Sequence, residues 1–379
     1  MANIFDYLSW RGDLTFTQSL FNPVDNIIFC QLSYLPLDGI VPGPDEKDEI
    51  SIGLAAEIIT EKLRHDSSLR QGMMFKDDPA FISALGESKR FRDCGLCRFV
   101  NRIDISQEKQ FAALSIITGR DYPFIAYRGT DTTIVGWKEN FNMSFSDAVP
   151  AQLEAVSYLE KTAKRFRGPL RIGGHSKGGN LAVYAASFCG KKTSRRIAGI
   201  YSNDAPGFHR HVIESEGFQR IRSRIYSFVP QFSVVGMLLE HGDDYTVIKS
   251  SQTGLMQHDL YSWEIARDDM VRLDRISQES RFVDKTLREW INGLDHEKRE
   301  RFIETLYTIL GAARVESIPE LSADWFKASG RMIQSLKDID DSTRALMGKT
   351  LAALFSAARN NINTLLPSRR QNAEETADQ

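Results

Sequence analysis

Cysteine is scarce in this sequence: Cys30, Cys94, Cys97 and Cys189 are four in 379 residues, too few and too irregularly spaced for a disulfide framework. Long apolar runs are missing as well. None approaches the ~20 residues that a helix needs to cross a bilayer, and Asp6, Arg11 and Asp13 interrupt the region where a secretory leader would need an apolar core. The cytoplasm is therefore the expected compartment. Neither sign of charge dominates, since 48 basic side chains against 50 acidic ones leave a formal charge of −2. That balance offers no basic stripe to nucleic acid, so small molecules or lipids are the expected partners. The Cys94–Cys97 pair lacks the further ligands that zinc requires. It also runs into the strand-like Arg98-Phe99-Val100-Asn101-Arg102-Ile103, where a thioredoxin-type redox pair would open a helix. No metal and no cofactor is implied. With 42% hydrophobic and 26% charged residues, the composition is that of an ordinary globular protein, long enough for about two domains.

The chain is organised around Arg171-Ile172-Gly173-Gly174-His175-Ser176-Lys177-Gly178-Gly179-Asn180-Leu181-Ala182. Ser176 stands in a Gly-x-Ser-x-Gly frame between a short apolar strand and an Ala-rich helix. A serine at so sharp a strand-to-helix turn has strained backbone angles, and bulky side chains two residues away on either side would collide across it. Gly174 and Gly178 answer that requirement. The helix that follows aims its free N–H groups and positive dipole end at the site, which suits an oxyanion forming beside a nucleophile. Ser176 is the candidate nucleophile.

Around this turn the chain alternates strands with helices, which predicts an α/β protein with a doubly wound, mainly parallel sheet of the α/β-hydrolase type. A hairpin, Gln110–Thr118 and Pro123–Arg128, delivers Gly129 and Thr130 upstream of the nucleophile. The main-chain N–H of Thr130, helped by its hydroxyl, and that of Lys177 are the candidate oxyanion donors. Among seven histidines, His258 follows the last predicted strand, Tyr245–Lys249, where the general base belongs. His209 and His211 lie in a helix, His241 precedes that strand, and His296 falls among charged helical residues. His175 adjoins the serine but faces another side of the turn, as a packing residue. The acid comes between serine and histidine in chain order. Asp204, at the end of the strand after the elbow unit, is favoured; Asp243 and Asp244, which lead into the last strand, are the alternative.

Phe124-Ile125-Ala126-Tyr127-Arg128-Gly129-Thr130, the Gly174 to Asn180 elbow and Gln257-His258-Asp259 resemble a bacterial family of α/β-hydrolases similar to class 3 lipases, over about residues 3–265. The resemblance implies a serine hydrolase with Ser176 as nucleophile, Thr130 in the oxyanion hole and His258 as base. Class 3 lipases usually carry the acid in an Asp-x-Val-Pro segment, whereas here Val229-Pro230-Gln231-Phe232-Ser233 offers a serine. The Asp204-Ala205-Pro206 turn looks instead like the acid-bearing turn of pancreatic-type lipases. Lys177 also departs from the family, with its charge directed either at an anionic substrate or into solvent.

Beyond Glu264 the composition shifts to charged helix, starting with Met270–Trp290. The expected domains are a hydrolase domain, 1–265, a helical accessory region, 266–366, and a disordered tail, 367–379. The helix containing Leu346, Leu351 and Phe355 beside Arg344 and Lys349 reads as packing against the hydrolase or a partner, with peripheral membrane contact as the other reading. The expected activity is cleavage of a carboxylic ester through an acyl-serine intermediate. The alternatives are a non-catalytic lipid- or partner-binding protein of the same fold, or an acyltransferase or thioesterase using the same triad.

Overall fold

In the computed structural model the described residues are 1–277 without 67–68, 71–72, 120, 131–138, 140–141, 144–145, 234, 238 and 240–244. Helix α1 (Ile4–Arg11) is opened by Asn3, whose side chain accepts the Phe5 N–H while Asp6 reaches back to the Asn3 N–H. The same reciprocal device starts α2 (Pro23–Leu32). Asn22 accepts the Val24 and Asp25 N–H groups, Asp25 accepts that of Asn22, and Pro23 takes the first helical position, where no N–H is needed. Nine of the ten α2 residues are buried. This helix therefore lies inside, against the sheet, in a layer shared with α1, α3 (Ile52–His65) and α4 (Asp78–Glu87).

Strands β1 (Ile50–Ser51), β2 (Gly95–Asp104), β3 (Lys109–Ile117), β4 (Phe124–Tyr127), β5 (Leu170–His175), β6 (Ile197–Asn203), β7 (Ile225–Pro230) and β8 (Thr246–Ile248) lie in that order across the sheet. β1 to β4 pair antiparallel, including the β3–β4 hairpin, and β4 to β8 pair parallel. Parallel neighbours need crossovers, and α5 (Pro150–Arg165), α6 (Lys177–Phe188) and α7 (Glu216–Ile221) supply the three from β4 through β7. Every step moves in the same direction, and right-handed crossovers then put all three helices on one face. There Ala155, Leu159, Leu181, Ala185, Phe218 and Ile221 share a core with Ile125, Ile172 and Ile200.

The expected double winding is therefore not what forms. On the opposite face, the N-terminal layer of α1 to α4 packs Ile28, Phe29, Ile59, Phe81 and Leu85 against Leu114, Phe124 and Ala126. An apolar layer made before the sheet substitutes for a second set of crossover helices.

Two further expectations change. The spacing of Leu153, Val156, Leu159 and Ala163 predicts one buried stripe on α5; Leu159 and Ala163 are buried, but Leu153 is 59% exposed, and Ala151, Ala155, Tyr158 and Thr162 complete the contact. Met270 to Leu273, expected to begin a helix, is extended: β9 (Ile265–Ala266) pairs with β10 (Asp269–Met270), and β11 (Arg272–Leu273) joins β8 as the ninth strand. The free polar groups along the edge of β8 favour this pairing, so the sheet extends past the boundary drawn at residue 265. The remaining accessory helices and the tail, from residue 278 on, lie outside the described residues. Among the described residues no helix is long and apolar enough to cross a membrane.

The five parallel strands end at one edge, where Gly129-Thr130, Ser176, Asp204, Ser233 and the loop carrying His258 follow β4, β5, β6, β7 and β8 in turn. On the face behind the sheet, α2 is anchored by a dry ion pair. Arg90 Nη2 and Nε donate to the Asp25 carboxylate at 2.6 and 2.8 Å, and the remaining N–H groups reach the carbonyls of Leu14, Ser19 and Leu20. Neither side chain touches solvent. Arg90→Met leaves the Asp25 charge buried without a cation, and the expected loss is about 3–5 kcal/mol of unfolding free energy, measured by urea titration.

Candidate active site

Ser176 adopts φ 57° and ψ −134°, a region that L-residues with a Cβ rarely occupy. Its N–H donates to the Asn203 carbonyl at 2.9 Å, and its own carbonyl accepts the Gly179 N–H at 2.9 Å, which starts α6. A methyl group on Gly174 would meet the Gly178 main chain, and one on Gly178 would meet the Tyr127 carbonyl. β4, β5 and the helix converge too tightly there for any side chain. Gly179, which the sequence reading left unassigned, is as restricted, facing Ala205 and the Asn203 N–H. Asn203 supports the turn twice, because its Nδ2 also donates to the Gly174 carbonyl at 3.0 Å while its Oδ1 accepts from Asn26 of α2 at 2.8 Å.

Asp204 lies one residue beyond β6, at φ 45°, with its N–H donating to the Phe228 carbonyl at 2.7 Å. Its carboxylate is buried, and Oδ2 stands 2.6 Å from Nδ1 of His258. A carboxylate only accepts, so Nδ1 carries the proton and Nε2 is the basic nitrogen. The other oxygen, Oδ1, accepts from the Ser233 hydroxyl, which in turn accepts the Gly236 N–H at 2.8 Å. Ser233, which the sequence showed only as the place of a missing aspartate, thus holds the carboxylate that arrives from the neighbouring strand. Asp243 and Asp244 lie outside the described residues.

The His258 side chain is 30% exposed, so the imidazole opens toward solvent while the carboxylate that holds it does not. Its loop is held by Gln257, whose Oε1 accepts the Phe232 N–H and whose carbonyl accepts the buried Trp263 indole N–H, each at 2.9 Å. Asp259 turns away from the imidazole and accepts the Tyr261 N–H at 3.0 Å. Burial pushes its carboxyl up from 3.8 to about 6.

Thr130 is buried, and its Oγ1 has no hydrogen-bond partner among the described residues. Gly129 before it presses on the elbow so closely that a Cβ would strike the Tyr34 hydroxyl, the His175 carbonyl and the Ser176 Cβ. Lys177 opens α6, where main-chain N–H groups lack acceptors within the helix. Its side chain goes neither to substrate nor to solvent, as the sequence had suggested, but is fully buried. Nζ donates to the carbonyl and Oε1 of Gln110 at 2.6 and 2.7 Å and to Glu139 Oε2 at 2.7 Å. Glu139 also accepts the N–H groups of Gln110 and Ala151, each at 3.0 Å. His175, expected to pack, is buried, with ring nitrogens near the Tyr34 hydroxyl and the His258 carbonyl.

The described residues thus define a mixed α/β protein whose large central sheet, parallel through its middle, gathers a serine, a histidine and an aspartate at one edge. The chain belongs to the Mbeg1-like family, which matches residues 85–308 and so includes Thr130, Ser176, Asp204 and His258. Similarity to the crystal structure of M37 lipase covers 69% of this chain and 78% of that one at 13% identity, with a TM-score of 0.34, too loose a likeness to carry an argument. None of the curated proteins matches the chain.

Two tests follow from the buried charges. Lys177→Met strands the Glu139 carboxylate and is expected to cost about 3–5 kcal/mol, part of which returns in Lys177→Met/Glu139→Gln; thermal denaturation of both variants measures it. Asp259 has a folded value above its ordinary 3.8, so the stability it lends is complete below that pH and disappears as pH rises through about 6. Asp259→Asn keeps an acceptor for Tyr261 and removes the buried charge. The variant should be more stable than the wild type at pH 7.5, by up to about 3 kcal/mol, and no more stable at pH 3.5.

Proposed function

We propose that the protein is a serine hydrolase of the α/β-hydrolase fold, lipase-like, which cleaves a lipid or other acyl ester through an acyl-serine intermediate. The observation that carries this reading is the 2.6 Å contact between His258 Nδ1 and the buried Asp204 carboxylate, on the sheet edge where Ser176 occupies its strained turn. In this mechanism the Ser176 hydroxyl attacks the ester carbonyl while His258 Nε2 takes its proton. The tetrahedral oxyanion is stabilised by the Thr130 and Lys177 N–H groups, with the unpartnered Thr130 hydroxyl as an additional donor. Asp204 stabilises the imidazolium, which then protonates the departing alcohol. Water, activated by the same imidazole, releases the acid and regenerates the serine.

The non-catalytic alternative drew its support from the missing aspartate after Pro230. With Asp204 against His258 and Ser233 behind it, no observation favours that alternative. A fluorophosphonate probe tests the proposal, since it reacts only with an activated serine. The wild-type chain should be labelled, Ser176→Ala and His258→Ala should not, and Asp204→Asn should hydrolyse a short p-nitrophenyl ester about 10⁴-fold more slowly. Labelling that survives in a folded Ser176→Ala variant overturns the proposal.

A further inference from the structure

His175 precedes the candidate nucleophile in the chain, and its ring points into the protein, 1% exposed. Both ring nitrogens have partners from other elements. Nε2 lies 2.8 Å from the main-chain carbonyl of His258, and Nδ1 lies 3.1 Å from the hydroxyl of Tyr34, in the turn after α2. A carbonyl only accepts, so Nε2 must carry a proton. Burial, with His258 as a further cause, holds the basicity of this imidazole well below its usual range, which leaves it neutral and Nδ1 bare. Tyr34 must therefore donate to Nδ1. The His175 carbonyl, 3.2 Å away, competes for that same proton. The Tyr34 oxygen accepts the Gly129 N–H at 3.1 Å. One order of protons satisfies the whole chain: Gly129 N–H to Tyr34, Tyr34 O–H to His175 Nδ1, and His175 Nε2–H to the His258 carbonyl.

We infer that Tyr34 and His175 are positioning residues that join the oxyanion segment, the nucleophile turn and the base into one hydrogen-bonded unit. The inference rests on the proposed hydrolase reading. Gly129 adjoins Thr130, His175 adjoins Ser176, and His258 is the base, so each junction lies within one residue of a reacting group. The imidazole of His258 is fixed from two sides. Asp204 holds its Nδ1, and His175 holds its backbone while the two rings lie against each other, with centroids 4.3 Å apart at 36°. A side chain serving only to fill space would need no nitrogens. This one uses both, on groups from opposite flanks of the nucleophile.

The unit can be cut at either junction. Tyr34→Phe removes the acceptor for Gly129 and the donor to His175 while keeping the ring. His175→Gln retains an N–H at the Nε2 position, and His175→Asn retains polarity only at the Nδ1 position. Hydrolysis of a p-nitrophenyl ester is measured for each variant, with circular dichroism as the check on folding. Tyr34→Phe and His175→Asn should each lower kcat by about tenfold to a hundredfold with KM nearly unchanged, since the affected groups act mainly in the transition state. His175→Gln should recover most of the loss, and the Tyr34→Phe/His175→Asn double variant should lose less than the product of the single losses. A readout independent of activity is the nitrogen-15 spectrum of the imidazoles, in which His175 should be a neutral Nε2–H tautomer. Folded variants with kcat within twofold of wild type, independent single losses, or a His175 protonated at Nδ1 would each overturn the inference. A wild-type chain that neither reacts with fluorophosphonate nor hydrolyses esters would sink the hydrolase reading instead, and the tautomer would still decide whether the hydrogen-bonded unit exists.

Discussion

The turn at Ser176 cannot hold itself. At φ 57° its Cβ crowds its own main chain, and the compensation has to come from surrounding elements. The Asn203 carbonyl takes the serine N–H, and the Asn203 side chain takes the Gly174 carbonyl. Asn203 is itself steadied by Asn26, on a helix that is almost wholly buried and is anchored through Asp25 to Arg90. The strain at one serine thus reaches, hydrogen bond by hydrogen bond, to an ion pair in the N-terminal layer. That layer has a mechanical role besides covering the sheet.

Two pairs of opposite-charge-capable groups flank the turn, and their solvation differs. Lys177 and Glu139 are both without exposure, so removing either partner would leave the other charge buried and uncompensated. Their pairing joins β3, α5 and α6 as a fixed brace. His258 is 30% open while Asp204 is 1% exposed. The imidazole therefore faces solvent on one side and, on the other, a buried carboxylate whose orientation Ser233 maintains. One pair is sealed on both sides, whereas the other is open on the imidazole side alone.

The parts of this arrangement that were legible in the sequence are those imposed by local sterics. The Gly174, Gly178 and Ser176 spacing is a steric requirement of one turn, and Asn22-Pro23 is a local capping signal, so both survive without tertiary information. The Asp204 position was readable because strand ends in a parallel sheet collect on one edge. Lys177, Ser233 and His175 were misread or missed for one reason. Their partners, Gln110 and Glu139, Asp204, and Tyr34, stand 29 to 141 residues away, and no periodicity encodes such pairings. The strand residues within Met270 to Leu273 were read as the start of a helix because two-residue strands are too short to show alternation. Single winding was hidden because a pattern of alternating strands and helices is the same whichever direction the sheet grows.

The strictly sequential strand order also governs when the site can come into being. Thr130, Ser176, Asp204, Ser233 and His258 leave successive strand ends in the order in which a ribosome makes them. A nascent chain that has paired its strands only as far as β6 already owns the strained serine and the acid, but its imidazole has not been translated. On the proposed hydrolase reading, Ser176 therefore has no base until the loop after β8 is made and its His258 carbonyl meets His175. In that reading the acyl-transfer chemistry waits on the last parallel strand, because Ser176 and Asp204 are in place before the imidazole that would join them.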